Sequence, residues 1–329
     1  MHKTNIITKI RFLTSYYKYL KPEARAVLIC VYAAKPATLP LLWGIGENEC
    51  FYPFYSVNSM KTYFLPPPCK WLALSFLFLL SACDMFEYHP YAGNLEFKDL
   101  TAQNVARIKA LESQYNPENP LRFALTGDTQ GFFAETEDMV KDMNSRDIAF
   151  VIHAGDLTNY AFTDEYERMH RVLAKLKAPY VTVIGNHDCL GDGDKLYKEM
   201  YGPLNHSFTF GPNKFILLNT NFLEFDASVP DVNWLEKELQ TPQTIMNKFV
   251  ISHIIPDNSE ANPAQEQTYV NLMRKYNVRL SLHGHTHNYR ASELYDDGIP
   301  YVTTAASLKR SYVLVTVTGD QATYEKIDF

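Results

Sequence analysis

From residue 121 onward this 329-residue chain repeats one phrase: a short apolar run, a glycine or small residue, a few polar residues, then a helix-compatible segment. Leu121–Thr126 leads to Gly127, Asp128, Thr129 and Gln130. Ile148–Ala154 leads to Gly155, Asp156, Leu157, Thr158 and Asn159, and Tyr180–Ile184 to Gly185, Asn186, His187 and Asp188. Phe249–Ser252 ends in His253, and Val278–Leu282 in His283, Gly284, His285, Thr286 and His287. Strands alternating with helices specify a layered α/β domain. Such sheets present reactive side chains in the loops at their carboxyl edge.

Helices are expected from Thr101 or Asn104 to about Ser113, and over Glu135–Asn144, Asp164–Leu176, Asp231–Leu239 and Ala264–Tyr276. Ser207–Phe210 and Lys214–Asn219, split by Gly211 and Pro212, read as a hairpin. Tyr289–Tyr295, Pro300–Thr304 and Tyr312–Val317 read as closing strands, and Cys189–Asn205 and Asn221–Pro230 as short loops. No internal repeat is present.

The strand ends offer Asp128, Gln130, Asp156, Asn186, His253, His285 and His287, all oxygen or imidazole donors. Singly, a Gly-Asp pair is a turn and a strand-end histidine a hydrogen-bonded structural residue. Five such segments in order, each directly after an apolar strand, are hard to assign to chance.

In this order, GDTQ, GDLTN, GNHD, SH and GHTH resemble the calcineurin-like metallophosphoesterase signature, over roughly Leu121–Arg290. The resemblance implies a two-sheet α/β sandwich flanked by helices, with a dinuclear metal site at the carboxyl ends of the strands. It also implies one metal on Asp128, Gln130, Asp156 and His287 and a second on Asp156, Asn186, His253 and His285. Asp156 is then the bridge, giving its two oxygens to ions about 3.5–4 Å apart. The implied reaction is attack on phosphorus by a hydroxide held between the ions, with His187 donating a proton to the leaving oxygen. Gln130 departs from the pattern, since most members have histidine there. As a neutral, harder and weaker donor it leans the preference of this divalent or mixed-valence pair towards Mn or Fe over Zn, which stays compatible. Glutamine at this position resembles a branch that includes manganese-dependent nucleotide-diphosphate pyrophosphatases and some protein phosphatases.

Around the motifs, His153 and His283 are read either as groups orienting a ligand or as core histidines. Asn159, Tyr160, Asp188 and Arg290 could touch phosphate or fix loops, and His206 reads as structural. Cys189 reads as packing rather than as a nucleophile.

Upstream the composition changes. Residues 1–82 hold 9 Lys+Arg and 3 Asp+Glu, so of the chain's 31 and 37 the remainder holds 22 and 34, about +6 against about −12. From Met60, Lys61 and Lys70 precede an uncharged run, Trp71–Ala82, that is too short to span a bilayer and is closed by Cys83. Leu80, Ser81, Ala82 and Cys83 resemble a bacterial lipobox, which implies a lipidated Cys83 and an exported protein of the cell envelope held on the bilayer. The expected organisation is 1–59 as an extension foreign to the protein, 60–82 as signal peptide, 83–100 as tether and 101–329 as the phosphoesterase domain. Three of the five cysteines lie before the cut, leaving no disulfide framework.

The function expected is hydrolysis of a small phosphorylated substrate at an ester or anhydride bond. Phosphodiesterase or nucleotide-pyrophosphatase specificity is the alternative within that chemistry, and a binding lipoprotein without turnover the alternative outside it. A net charge of about −12 and the lack of a basic stripe argue against a nucleic-acid partner.

Overall fold

In a computed structural model the described residues are 95–116 and 118–329. The expected extension, signal peptide and Cys83 lie outside them. Of the tether expected over 83–100, the described part packs on the domain: Leu95 and Leu100 are buried and the Phe97 ring lies 4.3 Å from that of His170.

Two mixed sheets form the frame. The first has the order β11-β10-β1-β2-β3, with β1 Leu121–Thr126, β2 Phe150–His153, β3 Tyr180–Thr182, β10 Ser311–Thr318 and β11 Gln321–Asp328. Its three leading strands are parallel and β10 runs antiparallel to β1. The second has the order β4-β5-β6-β7-β9-β8, with β4 His206–Phe210, β5 Asn213–Leu218, β6 Asn247–Ser252, β7 Leu280–His283, β8 Arg290–Glu293 and β9 Pro300–Thr303.

The sheets meet face to face because their central strands carry apolar side chains on both faces, as parallel strands covered on both sides require. Between them, Phe123 and Phe150 of the first sheet pack edge-on against Phe215 of the second, with ring centroids 5.2 and 5.1 Å apart. On the outer face of the first sheet, Ala124, Val151, Tyr312 and Leu314 lie under α2 Phe133–Met143, α3 Thr163–Leu173 and α4 Gly193–Met200. On the outer face of the second, Ile216, Leu218, Val250 and Tyr301 lie under α5 Val232–Leu239 and α6 Pro263–Lys275. The remaining helix, α1 Leu100–Glu112, bridges the sandwich edge between β3 and β4. The expected α/β two-sheet sandwich flanked by helices is the observed architecture.

Two elements differ from expectation. The stretch expected as a loop over Cys189–Asn205 contains α4, whose Leu196, Tyr197 and Met200 are buried in the core. Eight residues are too few to be helical by propensity, so tertiary burial stabilises this helix. The second is β11, whose charged sequence has low strand propensity but pairs with β10 along its full length, from Ser311↔Asp328 to Thr318↔Gln321.

Candidate metal centre

The carboxyl ends of β1, β2, β3, β6 and β7 open on the same edge of the sandwich, and their loops are stitched to one another. The Asp128 N–H donates to the Gly155 carbonyl at 2.9 Å, and those of Thr129 and Gln130 to the Asp156 carbonyl at 2.9 and 3.2 Å. The Gly284 N–H donates to His253 O at 3.1 Å. Side chains complete the stitching: Asp156 Oδ1 accepts from the His187 N–H at 3.0 Å, and both Asp128 oxygens lie 3.1 Å from the His285 N–H.

These bonds hold a strained backbone. Asp128, Gln130, Asp156, His285 and His287 all have positive φ (51°, 29°, 60°, 74° and 59°), five of twelve such non-glycine residues among those described. The left-handed region costs a residue with a side chain about 1 kcal/mol or more. Strain of this kind gathers at functional sites, where the surroundings over-determine it.

The seven expected ligands come together in two groups that share Asp156. In the first, ligand atoms of Asp128, Asp156 and His287 all lie within 4.8 Å of one another, and Gln130 Nε2 is 2.6 Å from Asp156 Oδ2. In the second, Asn186 Oδ1 lies 3.0 Å from His253 Nε2 and 3.1 Å from His285 Nδ1, while His253 Nε2 is 3.4 Å from Asp156 Oδ1. His187 stands beside both. Its Nδ1 lies 2.9 Å from the Asn159 carbonyl, which can only accept, so Nδ1 carries a proton there.

The chemistry of this donor set fits metal ions. Behind His253, the Ala154 carbonyl 2.7 Å from Nδ1 holds the tautomer that turns the Nε2 lone pair towards Asp156, the arrangement a ligating histidine needs. Asp128 and Asp156 are fully buried side by side. Burial pushes the Asp128 carboxyl up, and the charge of Asp156 adds to the rise. For Asp156 burial also raises proton affinity, but the neighbouring His253 and His187 outweigh it and hold the carboxyl low. Burial alone would lower His253, yet the two carboxylates raise it. Two buried carboxyl groups and a histidine thus face one another with their charges strongly coupled, at the place where a cation would sit.

The neighbouring residues left open by sequence divide. Asp188 fixes loops: its buried carboxylate accepts from the N–H groups of Leu157, Thr158 and Gly185 and from Thr158 Oγ1, at 2.8 to 3.2 Å. His153 Nε2 pairs with Thr129 Oγ1 at 3.1 Å and so supports the Asp128 loop. His283 lies between Ser252 and Ser281 within the second sheet, with burial pushing its pKa down to about 3. Arg290 pairs with Asp257, and burial drives the Cys189 thiol up. Glu260, with Oε2 3.6 Å from His285 Nε2, escaped the sequence reading because its loop carries no motif.

A family model for calcineurin-like phosphoesterases matches residues 121–289, more than half of the chain. The chain belongs to the calcineurin-like phosphoesterases. Solved structures share the fold. A purple acid phosphatase from yellow lupin (Lupinus luteus) seeds is 18% identical with a TM-score of 0.51, over 64% of this chain and 52% of that one. A dimetal phosphatase from Danio rerio is 12% identical with a TM-score of 0.54, over 64% and 98%. GAP50 of Plasmodium is 14% identical with a TM-score of 0.50, over 64% and 84%. The chain thus spans about half of the lupin enzyme and nearly all of the Danio protein. No curated protein matches it.

Proposed function

We propose that the centre takes two metal ions, one on Asp128, Gln130, Asp156 and His287 and the other on Asp156, Asn186, His253 and His285. On this proposal the protein hydrolyses phosphoric ester or anhydride bonds of small substrates. The observation carrying it is the position of Asp156 between two donor groups, with Oδ2 facing Gln130 and Oδ1 facing His253. When bound, the ions supply positive charge for the phosphoryl oxygens and acidify the attacking water.

The chain's own residues do the rest. Asp156 is anionic and two-headed, so no neutral side chain replaces it. The Asn159 carbonyl fixes the His187 ring through Nδ1 and leaves Nε2 to carry the proton that the leaving oxygen receives. Gln130 shows its N–H to Asp156, and towards a cation it would turn its oxygen. A neutral oxygen donor favours Mn or Fe over Zn.

Metal content and turnover of a generic monoester and a generic diester, measured with Mn, Fe, Mg and Zn, test the proposal. Two ions per chain and hydrolysis abolished by Asp156→Asn are expected. No hydrolysis with any of these ions would sink it in favour of a binding protein, a use of the fold suggested by the Plasmodium neighbour, described as an anchor in a membrane complex. Dominant diester or pyrophosphate turnover would select the alternative specificity.

We also propose export and anchoring through a lipidated Cys83, with translation from Met60. The support is the order of lysines, apolar run and small residues before Cys83. Mass spectrometry of the mature amino terminus decides it: lipid on Cys83 is expected, and an intact Met1 peptide refutes it.

A further inference from the structure

Exposed apolar side chains scattered singly need no explanation, since apolar atoms contribute much of any protein surface. Among the described residues the large exposed ones are Leu111, Tyr160, Leu190, Leu223, Met246 and Leu308. Leu111, beside Ile148 and Pro179, and Met246, directly before β6, belong to the amino ends of the strands. The other four come from four separate segments, each tied by a hydrogen bond to a residue in or directly beside the metal-site motifs.

Tyr160 follows Asn159, whose carbonyl holds the His187 ring, and its own N–H is fixed by Glu165 Oε2 at 2.9 Å. Leu190 closes the turn His187–Cys189, with its N–H towards the His187 carbonyl. Leu223 lies in the loop that Asn221 ties to the carbonyl of Ile184, the residue directly before the GNHD motif, at 2.9 Å. Leu308 sits in the turn Ser307–Lys309, whose first N–H points to the Asp128 carbonyl at 3.4 Å. The group placed to serve the leaving oxygen, His187, therefore has exposed apolar neighbours on both of the loops that hold it.

The charges at this mouth are also informative. Glu260 stands beside His285, and Glu224, next to Leu223, lies within electrostatic reach of Glu260, His253 and Asp156. Lys309, next to Leu308, lies within electrostatic reach of His287, so the mouth is mixed in charge; on the side of Glu224 and Glu260 a leaving group bearing further phosphates would meet carboxylates, and an uncharged carbon skeleton would not.

We infer that Tyr160, Leu190, Leu223 and Leu308 form an apolar rim that binds the carbon skeleton of the leaving group, so that the substrate is a phosphate ester of an apolar alcohol. The inference rests on the proposed hydrolysis at the same centre. Water adds to phosphorus and gives up one proton to solvent, the P–O bond to the alcohol breaks, the alcohol leaves with the proton from His187, and His187 regains a proton from solvent.

A chain-length series tests it. The Mn-loaded full chain is given ethyl, butyl, hexyl and octyl phosphate below their aggregation concentrations, and the matching alkylphosphonates are titrated by calorimetry as ligands that cannot be cleaved. Both kcat/KM and phosphonate affinity are expected to rise by roughly two- to four-fold per methylene until the rim is covered. In a Tyr160→Ser, Leu190→Ser, Leu223→Ser, Leu308→Ser variant the octyl-to-ethyl ratio is expected to collapse towards one. A flat series in the unmutated protein, with ethyl phosphate still cleaved, overturns the inference and leaves the proposed function standing. So does a series whose slope survives in the variant. A flat series together with binding to neutral phosphatidylcholine vesicles would assign the rim to a bilayer surface and likewise overturn it. Failure to cleave any member with any metal removes the proposed function, and the inference with it.

Discussion

A Cβ atom on Gly185 would lie 2.1 Å from Oδ1 of Asp156 and 2.2 Å from its backbone nitrogen. The β2 and β3 loops approach so closely that only hydrogen fits between them, and this approach places Asn186 and Asp156 against the same histidine, His253. Gly155 makes the reciprocal contact: at φ 91°, its added Cβ would stand 2.7 Å from His253 Nδ1.

Gly185→Ala is therefore expected to push the Asp156 carboxylate out of register. Overpacking of this kind costs about 1–3 kcal/mol, so the variant should fold, with a lower Tm, and bind less metal. Metal content by mass spectrometry beside a melting curve checks this. Full metal loading at an unchanged Tm would refute it.

Asp188→Ala should be among the most destabilising substitutions near the site, because it leaves buried donors of Leu157, Thr158 and Gly185 without their acceptor. Each unsatisfied buried donor costs about 1–3 kcal/mol, so a loss of several kcal/mol is expected before relaxation or water entry offsets part of it. Denaturant unfolding of the metal-free protein measures it, and a loss under 1 kcal/mol would show that the clamp is dispensable.

Metal should stabilise the fold by mass action, by about 2.7 kcal/mol at a hundredfold excess over Kd for one site, and chelation should reverse it. Asp128→Asn removes one of two adjacent buried carboxylates, so its cost to the metal-free protein is expected to be small. The same change should abolish most of the metal-dependent rise in Tm. Melting curves with chelator and with Mn test both halves, and an undiminished Mn-dependent rise in the variant would count against Asp128 as a ligand.

His170 provides a pH test away from the centre. Burial, helped by Arg171, lowers its pKa to about 4, and its Nδ1 pairs with the Tyr180 hydroxyl at 2.7 Å. A free histidine titrates near 6.5, so between these values the unfolded chain takes up a proton that the folded one refuses. Its contribution is full above pH 6.5 and lost as pH falls through about 4. In chelator, unfolding free energy should drop from pH 7 to pH 4.5 more steeply in the unmutated protein than in His170→Gln, by on the order of 1–2 kcal/mol. Equal slopes would show that His170 is not the group responsible.

Much of this was legible in the sequence. The apolar runs ending in Gly127, Gly155 and Gly185 announced strands feeding loops, and the order of Asp128, Gln130, Asp156, Asn186, His253, His285 and His287 announced their company. Those signals are local: strand periodicity, turn residues and donor type are properties of a few consecutive residues. Only the tertiary structure showed that Asp188 is a clamp on the loops rather than a phosphate contact, that His283 belongs to the second sheet's interior, and that residues 193–200 form a helix. It also showed why Gly185 bears no side chain. Each of these depends on contacts between segments far apart in the chain, which arise when two sheets pack and carry their loops to a common edge. No periodicity in the sequence encodes those contacts.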